Sequence, residues 1–150
     1  MDSQPVIIVG AGVSGLACGR VLAAAGLTPV ILERARGVGG RCATRRVEGQ
    51  PVDLGPAFLH GKDPDFLATL ESVPSSRLAN WPSEIHGAGR PCQPEAFDRG
   101  ERRLAFAEGL TAFPKSLASG LAVRTQVQVL GFETEGPRLK VSIANGAALT

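Results

Sequence analysis

The chain is 150 residues long, 43% hydrophobic and 20% charged, with a formal net charge of +2. That is the size and balance of one globular domain, with no broad basic field for nucleic acid or a membrane surface. Glycine and proline make up one residue in five, which excludes a coiled coil, and no collagen period accompanies them.

Cys18, Cys42 and Cys92 are odd in number and never spaced C-x-x-C. That argues against a disulfide scaffold or zinc ribbon and for a reducing compartment. No apolar run approaches the roughly 20 residues of a bilayer span. Residues 1–5 carry no cationic leader. A soluble cytoplasmic protein is expected.

Val6-Ile7-Ile8-Val9 is entirely apolar, the pattern of a strand buried on both faces of a parallel sheet. It runs into Gly10-Ala11-Gly12-Val13-Ser14-Gly15, after which Val13, Leu16, Ala17, Val21 and Ala24 share one helical face. Gly26 stands where that helix would stop. Pro29-Val30-Ile31-Leu32-Glu33 then reads as a second buried strand ending in a carboxylate. Together they predict a βαβ unit.

Residues 34–46 are rich in glycine and hold five arginines (Arg34, Arg36, Arg41, Arg45 and Arg46) without an acid. Residues 51–55 predict a short strand entering a turn, and Phe66, Leu67 and Leu70 a brief helix over 65–70. Residues 72–103 read as loops with short strands around Trp81 and Phe97. Thr111 is placed to cap a helix reaching Ala118, with Pro114 tolerated in its first turn. Residues 121–123 and 126–130 predict strands. Phe132 and residues 139–143 suit antiparallel strands, with turns at Glu135-Gly136 and Asn145-Gly146.

The loop from Gly10 to Gly15 has a physical purpose. A pyrophosphate must approach backbone N–H groups closely at a helix N-terminus. Gly10 allows the turn, Gly12 keeps a side chain off the phosphate, and Gly15 lets helix and strand pack. Glu33 follows Gly10 by 23 residues, near the spacing of a ribose-binding acid. Gly10, Ala11, Gly12, Val13, Ser14, Gly15 and Glu33 are therefore candidate dinucleotide-binding residues of a Rossmann-type domain. Gly39-Gly40 offers a second close backbone approach, and Arg41 a cation for the diphosphate of a flavin dinucleotide.

The run from Glu33 to Arg41 resembles the second fingerprint of the flavin amine oxidase superfamily, in which five residues stand between the ribose Glu and Gly-Gly-Arg. Gly39-Gly40-Arg41-Cys42-Ala43-Thr44-Arg45-Arg46, with Asp53-Leu54-Gly55, is similar to the renalase-like branch. The resemblance implies the N-terminal portion of an FAD-dependent oxidoreductase. It implies that Ser14 and Arg41 meet the diphosphate, Glu33 the adenosine ribose and Val127, through its backbone, the adenine; Arg34, next to Glu33, is a further candidate cofactor-binding residue. The turn containing Gly55, Ala57 and Phe58 would lie beside the flavin ring. Pro56-Ala57-Phe58 stands where the family carries Ala-Gln-aromatic.

The expected architecture is α/β: a Rossmann-type FAD/NAD(P)-binding domain, three-layered with a mostly parallel sheet, an added antiparallel meander and part of a substrate lobe. Residues 1–55 would form the FAD-binding core, 56–108 a segment of the substrate lobe, and 109–150 a return to the first domain. No nucleophile–base pair is present, so no catalytic residue and no metal is assigned; hydride transfer to flavin needs neither. The resemblance implies oxidation of dihydronicotinamide isomers of NAD(P)H, a small-molecule substrate, with O₂ as electron acceptor; the charge balance points to no nucleic-acid or membrane partner. A flavin amine oxidase or desaturase is the alternative. A non-catalytic binding protein on the same fold, as in the Rab-escort family, is the alternative of another class.

His60 and His86 read as loop histidines. Cys42 beside Arg41 reads as a small residue packed beneath the Gly-Gly-Arg turn, with a thiol of lowered pKa or a flavin tether as the alternatives.

Overall fold

Strand β1 (Val6–Val9), helix α1 (Val13–Ala24) and strand β2 (Pro29–Glu33) make the expected βαβ unit. Val6 to Val9 lie in parallel register with Pro29 to Leu32. This is a computed structural model, and it describes residues 5–79, 86–87, 90–91, 102–144 and 148–149. The expectations for Trp81, Phe97 and the Asn145-Gly146 turn fall outside those residues, as does Cys92.

A 3₁₀ turn (Gly40–Cys42) leads to a hairpin of β3 (Thr44–Val47) and β4 (Gln50–Asp53). Its two-residue loop has Glu48 at φ 50° and Gly49 at φ 82°, the doubly positive turn that matches strand twist. The sequence reading missed β3, because its exposed Arg45 and Arg46 show no apolar alternation. Next come β5 (Leu59–His60), α2 (Pro64–Glu71), β6 (Arg77–Ala79), β7 (His86–Gly87), β8 (Arg90–Pro91), β9 (Arg103–Phe106) and α3 (Ala112–Ala118). Asp63 caps α2 by accepting from the Phe66 N–H at 2.8 Å, with Pro64 in its first turn.

The chain then forms β10 (Ala122–Thr125), β11 (Val129–Glu135), β12 (Arg138–Ile143) and β13 (Ala148–Leu149). β10 pairs parallel to β2, giving the sheet order β1-β2-β10. β11, β12 and β13 form the antiparallel meander. The strand expected over 126–130 begins only at Val129. Gln126 has φ 60°, and its N–H donates to Ala35 O while the Val127 N–H donates to Glu33 O at 2.9 Å. These bonds turn the chain before the meander starts.

Two compact units result: residues 1–40 with 117–150, and residues 41–116. In the first, Ala11, Leu16, Ile31, Leu32 and Val141 are buried. In the second, Leu70, Val73, Leu104, Phe106, Leu110 and Phe113 are, with the Phe66 and Phe113 rings edge-on at 6.1 Å.

Two burial expectations need correction. β1 has a strand on one side only, so its residues are half-buried and Val9 is 64% exposed, whereas β2 between two strands is buried. The inward face of α1 is also different. Ala17, Val21 and Ala24 point outward, and Leu16 and Gly19 are buried. A Cβ on Gly19 would lie 3.0 Å from Ile31 Cδ1, and one on Gly15 would overlap the Gly10 carbonyl. The helix seats itself through its glycines, which carry no hydrophobic signature.

Candidate functional site

Gly10 ends β1 at φ 98°, a left-handed conformation that favours glycine, and its N–H donates to Leu32 O at 2.8 Å. Gly12 is the N-cap of α1 and supplies no side-chain cap; no acid lies in the first turn. The amides of Val13, Ser14 and Gly15 thus begin the helix with partial positive charge available to a ligand. A Cβ added at Gly10 or Gly12 would meet nothing within 4 Å. Both glycines face open space.

The second glycine pair comes to the same place. The Gly39 N–H donates to Ala11 O at 2.9 Å, Gly12 and Gly39 form a parallel bridge, and a Cβ on Gly40 would lie 3.3 Å from Gly12 Cα. Two loops some 28 residues apart therefore run backbone to backbone.

Glu33 is only 8% exposed. Its Oε2 accepts the Ala11 N–H and its Oε1 the Ala35 N–H, each at 2.7 Å. The carboxylate expected to read a ribose also braces the glycine loop. A cavity of about 240 Å³ is lined by Gly10, Leu32, Glu33, Arg34 and Val127 among others, which brings the expected adenosine-end residues together. A second, of about 470 Å³, shares Arg34, Val127 and Gln128 with it and adds Arg36 and Gln126. The apolar cavity of about 450 Å³ bordered by Val6, Val9, Phe132 and Leu139 includes no glycine-loop residue.

Arg41, Gly55, Ala57 and Phe58 belong to the second unit. Arg41 is exposed. A Cβ on Gly55 would overlap the Arg41 carbonyl, so Gly55 is pressed against that backbone. Ala57 is exposed, while Phe58 is half-buried with its ring 5.9 Å from that of His60. Asp53 Oδ1 accepts the Thr44 hydroxyl at 2.5 Å and the Leu110 N–H at 2.9 Å. Thr111, read from sequence as a side-chain cap, instead caps with its carbonyl, which accepts from Lys115 N–H. Its hydroxyl donates to Cys42 O at 2.9 Å and accepts the Thr44 N–H at 2.6 Å. No sequence signal links residues 67 positions apart.

Cys42 is buried. Burial pushes its thiol above the ordinary value, Arg41 draws it back and Asp53 adds to the rise. The lowered pKa weighed from the Arg41 neighbour does not occur, because desolvation outweighs one exposed cation. Exposed Cys18 is expected to be alkylated by iodoacetamide well before Cys42 at about pH 8, where the raised thiol holds little thiolate, as read by peptide mass spectrometry. Equal labelling would contradict the packed thiol.

In the second unit Arg102 pairs with Glu71 at 2.5 Å, and Arg77 Nη1 donates to the Glu71 carbonyl. Arg103 Nη1 is buried without a partner among the described residues. No group of three His, Cys, Asp or Glu there is placed to hold a metal. No helix of the described residues is long and apolar enough to cross a membrane.

Residues 8–73 match the family of NAD(P)-binding Rossmann-like domains. The chain is 30% identical over 137 residues to a zeta-carotene-forming phytoene desaturase of Myxococcus xanthus, covering 77% of this chain and 26% of that protein. It is 46% identical over 59 residues to a flavin-containing amine oxidase of Danio rerio, covering 39% and 11%. The fold is thus that of a Rossmann-like NAD(P)-binding domain, and in sequence the chain is similar to desaturases and flavin-containing amine oxidases. A triple mutant of putrescine oxidase has the same fold, with a TM-score of 0.68 at 14% identity over 97% of this chain. The chain spans 55% of that structure and about a quarter or less of those two curated relatives.

Proposed function

We propose that the chain binds FAD across its two glycine loops and serves a flavin-dependent oxidoreductase of the amine oxidase and desaturase type. One observation carries the reading: Gly39 bridges Gly12, its N–H donates to Ala11 O at 2.9 Å, and a Cβ on Gly40 would lie only 3.3 Å from Gly12 Cα, so the glycine backbones of the two loops run against each other. That leaves a bare backbone surface beside the α1 N-terminus, which suits a diphosphate. Arg41 follows Gly40 directly and brings a guanidinium without a partner among the described residues. Each oxygen of Glu33 accepts one backbone N–H in the described residues, and a second lone pair on each suits ribose hydroxyls. When bound, FAD supplies a hydride acceptor that O₂ reoxidises. In this reading residues 1–55 and 109–150 serve the cofactor and 56–108 face the substrate.

Within that class two observations support the renalase-like reading over an amine substrate. The buried Arg103 Nη1 lacks an acceptor among the described residues, as expected of a site for a substrate carrying phosphates. The Phe106 and Phe113 rings are each 3% exposed, so the core occupies them and they wall no aromatic cage for a cation. The test mixes FAD-loaded protein, without air, with borohydride-generated dihydro-NAD(P) isomers and separately with putrescine and longer polyamines. Flavin bleaching by the isomers alone is expected. Bleaching by amines alone would transfer the substrate to the amine class, and failure to retain FAD would defeat the whole reading.

A further inference from the structure

We propose that Thr111 is a positioning residue for Arg41, fixing from the start of α3 the backbone that offers this cation to the cofactor diphosphate. The inference rests on the FAD reading above. Arg41 lies in the exposed 3₁₀ turn, and among the described residues its guanidinium is held by no acceptor. Such a side chain has many rotamers, so its useful concentration at a ligand depends on how firmly its backbone is set. Three successive carbonyls are set here from three directions. The Arg41 carbonyl is pressed by Gly55, where any Cβ would overlap it. The Cys42 carbonyl accepts the Thr111 hydroxyl at 2.9 Å, and the Ala43 carbonyl accepts the Leu54 N–H at 2.9 Å.

Thr111 is also locked in place. Its Oγ1 accepts the Thr44 N–H at 2.6 Å, and its own N–H donates to Thr44 Oγ1 at 3.0 Å, so the two threonines exchange bonds reciprocally. Thr44 Oγ1 donates to Asp53 Oδ1 at 2.5 Å, which also takes the Leu110 N–H. Every donor in this ring has a named acceptor. Gly109 makes the ring possible: at φ 94° it lets the chain pass the Thr44 side chain, which a Cβ there would overlap. A hydroxyl that merely capped its own helix would point at the amides of α3. This one is spent on the residue next to Arg41.

The test is a double-mutant cycle on FAD affinity with the 150-residue chain, read by flavin fluorescence, with thermal unfolding recorded for each variant. Thr111→Val removes the hydroxyl and is expected to weaken FAD about tenfold, the size of one hydrogen bond. Thr111→Ser, which keeps the hydroxyl, should bind as the parent does. In an Arg41→Ala background Thr111→Val should cost nothing further, because its effect runs through the guanidinium. A purely structural residue would give the same loss in both backgrounds, and that result would overturn the proposal. Should Thr111→Val unfold, Thr111→Ala carries the same cycle without burying a new methyl group. A parent chain that takes up no FAD defeats the cofactor reading and this inference together. A parent that binds FAD while Thr111→Val binds it equally defeats this inference alone.

Discussion

Gly12→Val is expected to leave the chain folded while abolishing FAD retention. Gly12 sits at φ −73° and ψ 173°, extended backbone that valine adopts readily. A Cβ there meets nothing within 4 Å, so no packing is lost. The fold cost is that of a poor N-cap residue, about 1 kcal/mol at most. The same open space is where the diphosphate would approach the N-terminal amides of α1, and an isopropyl group would hold it away. Losing that approach, with its charge-assisted bonds, should weaken FAD by at least about 100-fold, or roughly 2.7 kcal/mol. Thermal unfolding and flavin absorbance of the purified variant measure the two halves separately. A Gly12→Val chain that keeps its flavin would place the cofactor elsewhere.

Glu33→Gln is expected to destabilise the first unit by about 2–3 kcal/mol despite its near-identical shape. Both oxygens of Glu33 accept a backbone N–H at 2.7 Å in a residue 8% exposed. Glutamine offers one acceptor, so its amide nitrogen must confront the N–H of either Ala11 or Ala35. Ala11 is fully buried, and its orphaned N–H would carry the desolvation penalty of an unpaired donor. For a domain of this size the loss corresponds to a fall in Tm of roughly 5–10 °C. Flavin affinity should fall with it, since Ala11 lies between the two glycines of the loop. A Glu33→Gln chain as stable as the parent would mean that ribose recognition is the side chain's whole role.

The βαβ unit and the dinucleotide reading were legible in the chain alone, because both rest on local signals. An apolar run, a glycine loop, a helix and an acid at set spacing each follow from backbone conformation and nearest neighbours. Gly26 past the end of α1, the brief α2 and the Glu135-Gly136 turn could be read for the same reason. Long-range packing settled which face of α1 turns inward, because Gly19 is chosen by the closeness of Ile31, and periodicity counts side chains rather than their absence. Folding also placed Gly39 against Gly12 and made Glu33 a brace, since a buried N–H must find an acceptor that only folding supplies. The pairing of Thr44 with Thr111 is the clearest case. Two ordinary threonines 67 residues apart carry no pattern in the chain, and their hydroxyls acquire a purpose only when β3 and the start of α3 are brought within 3.0 Å.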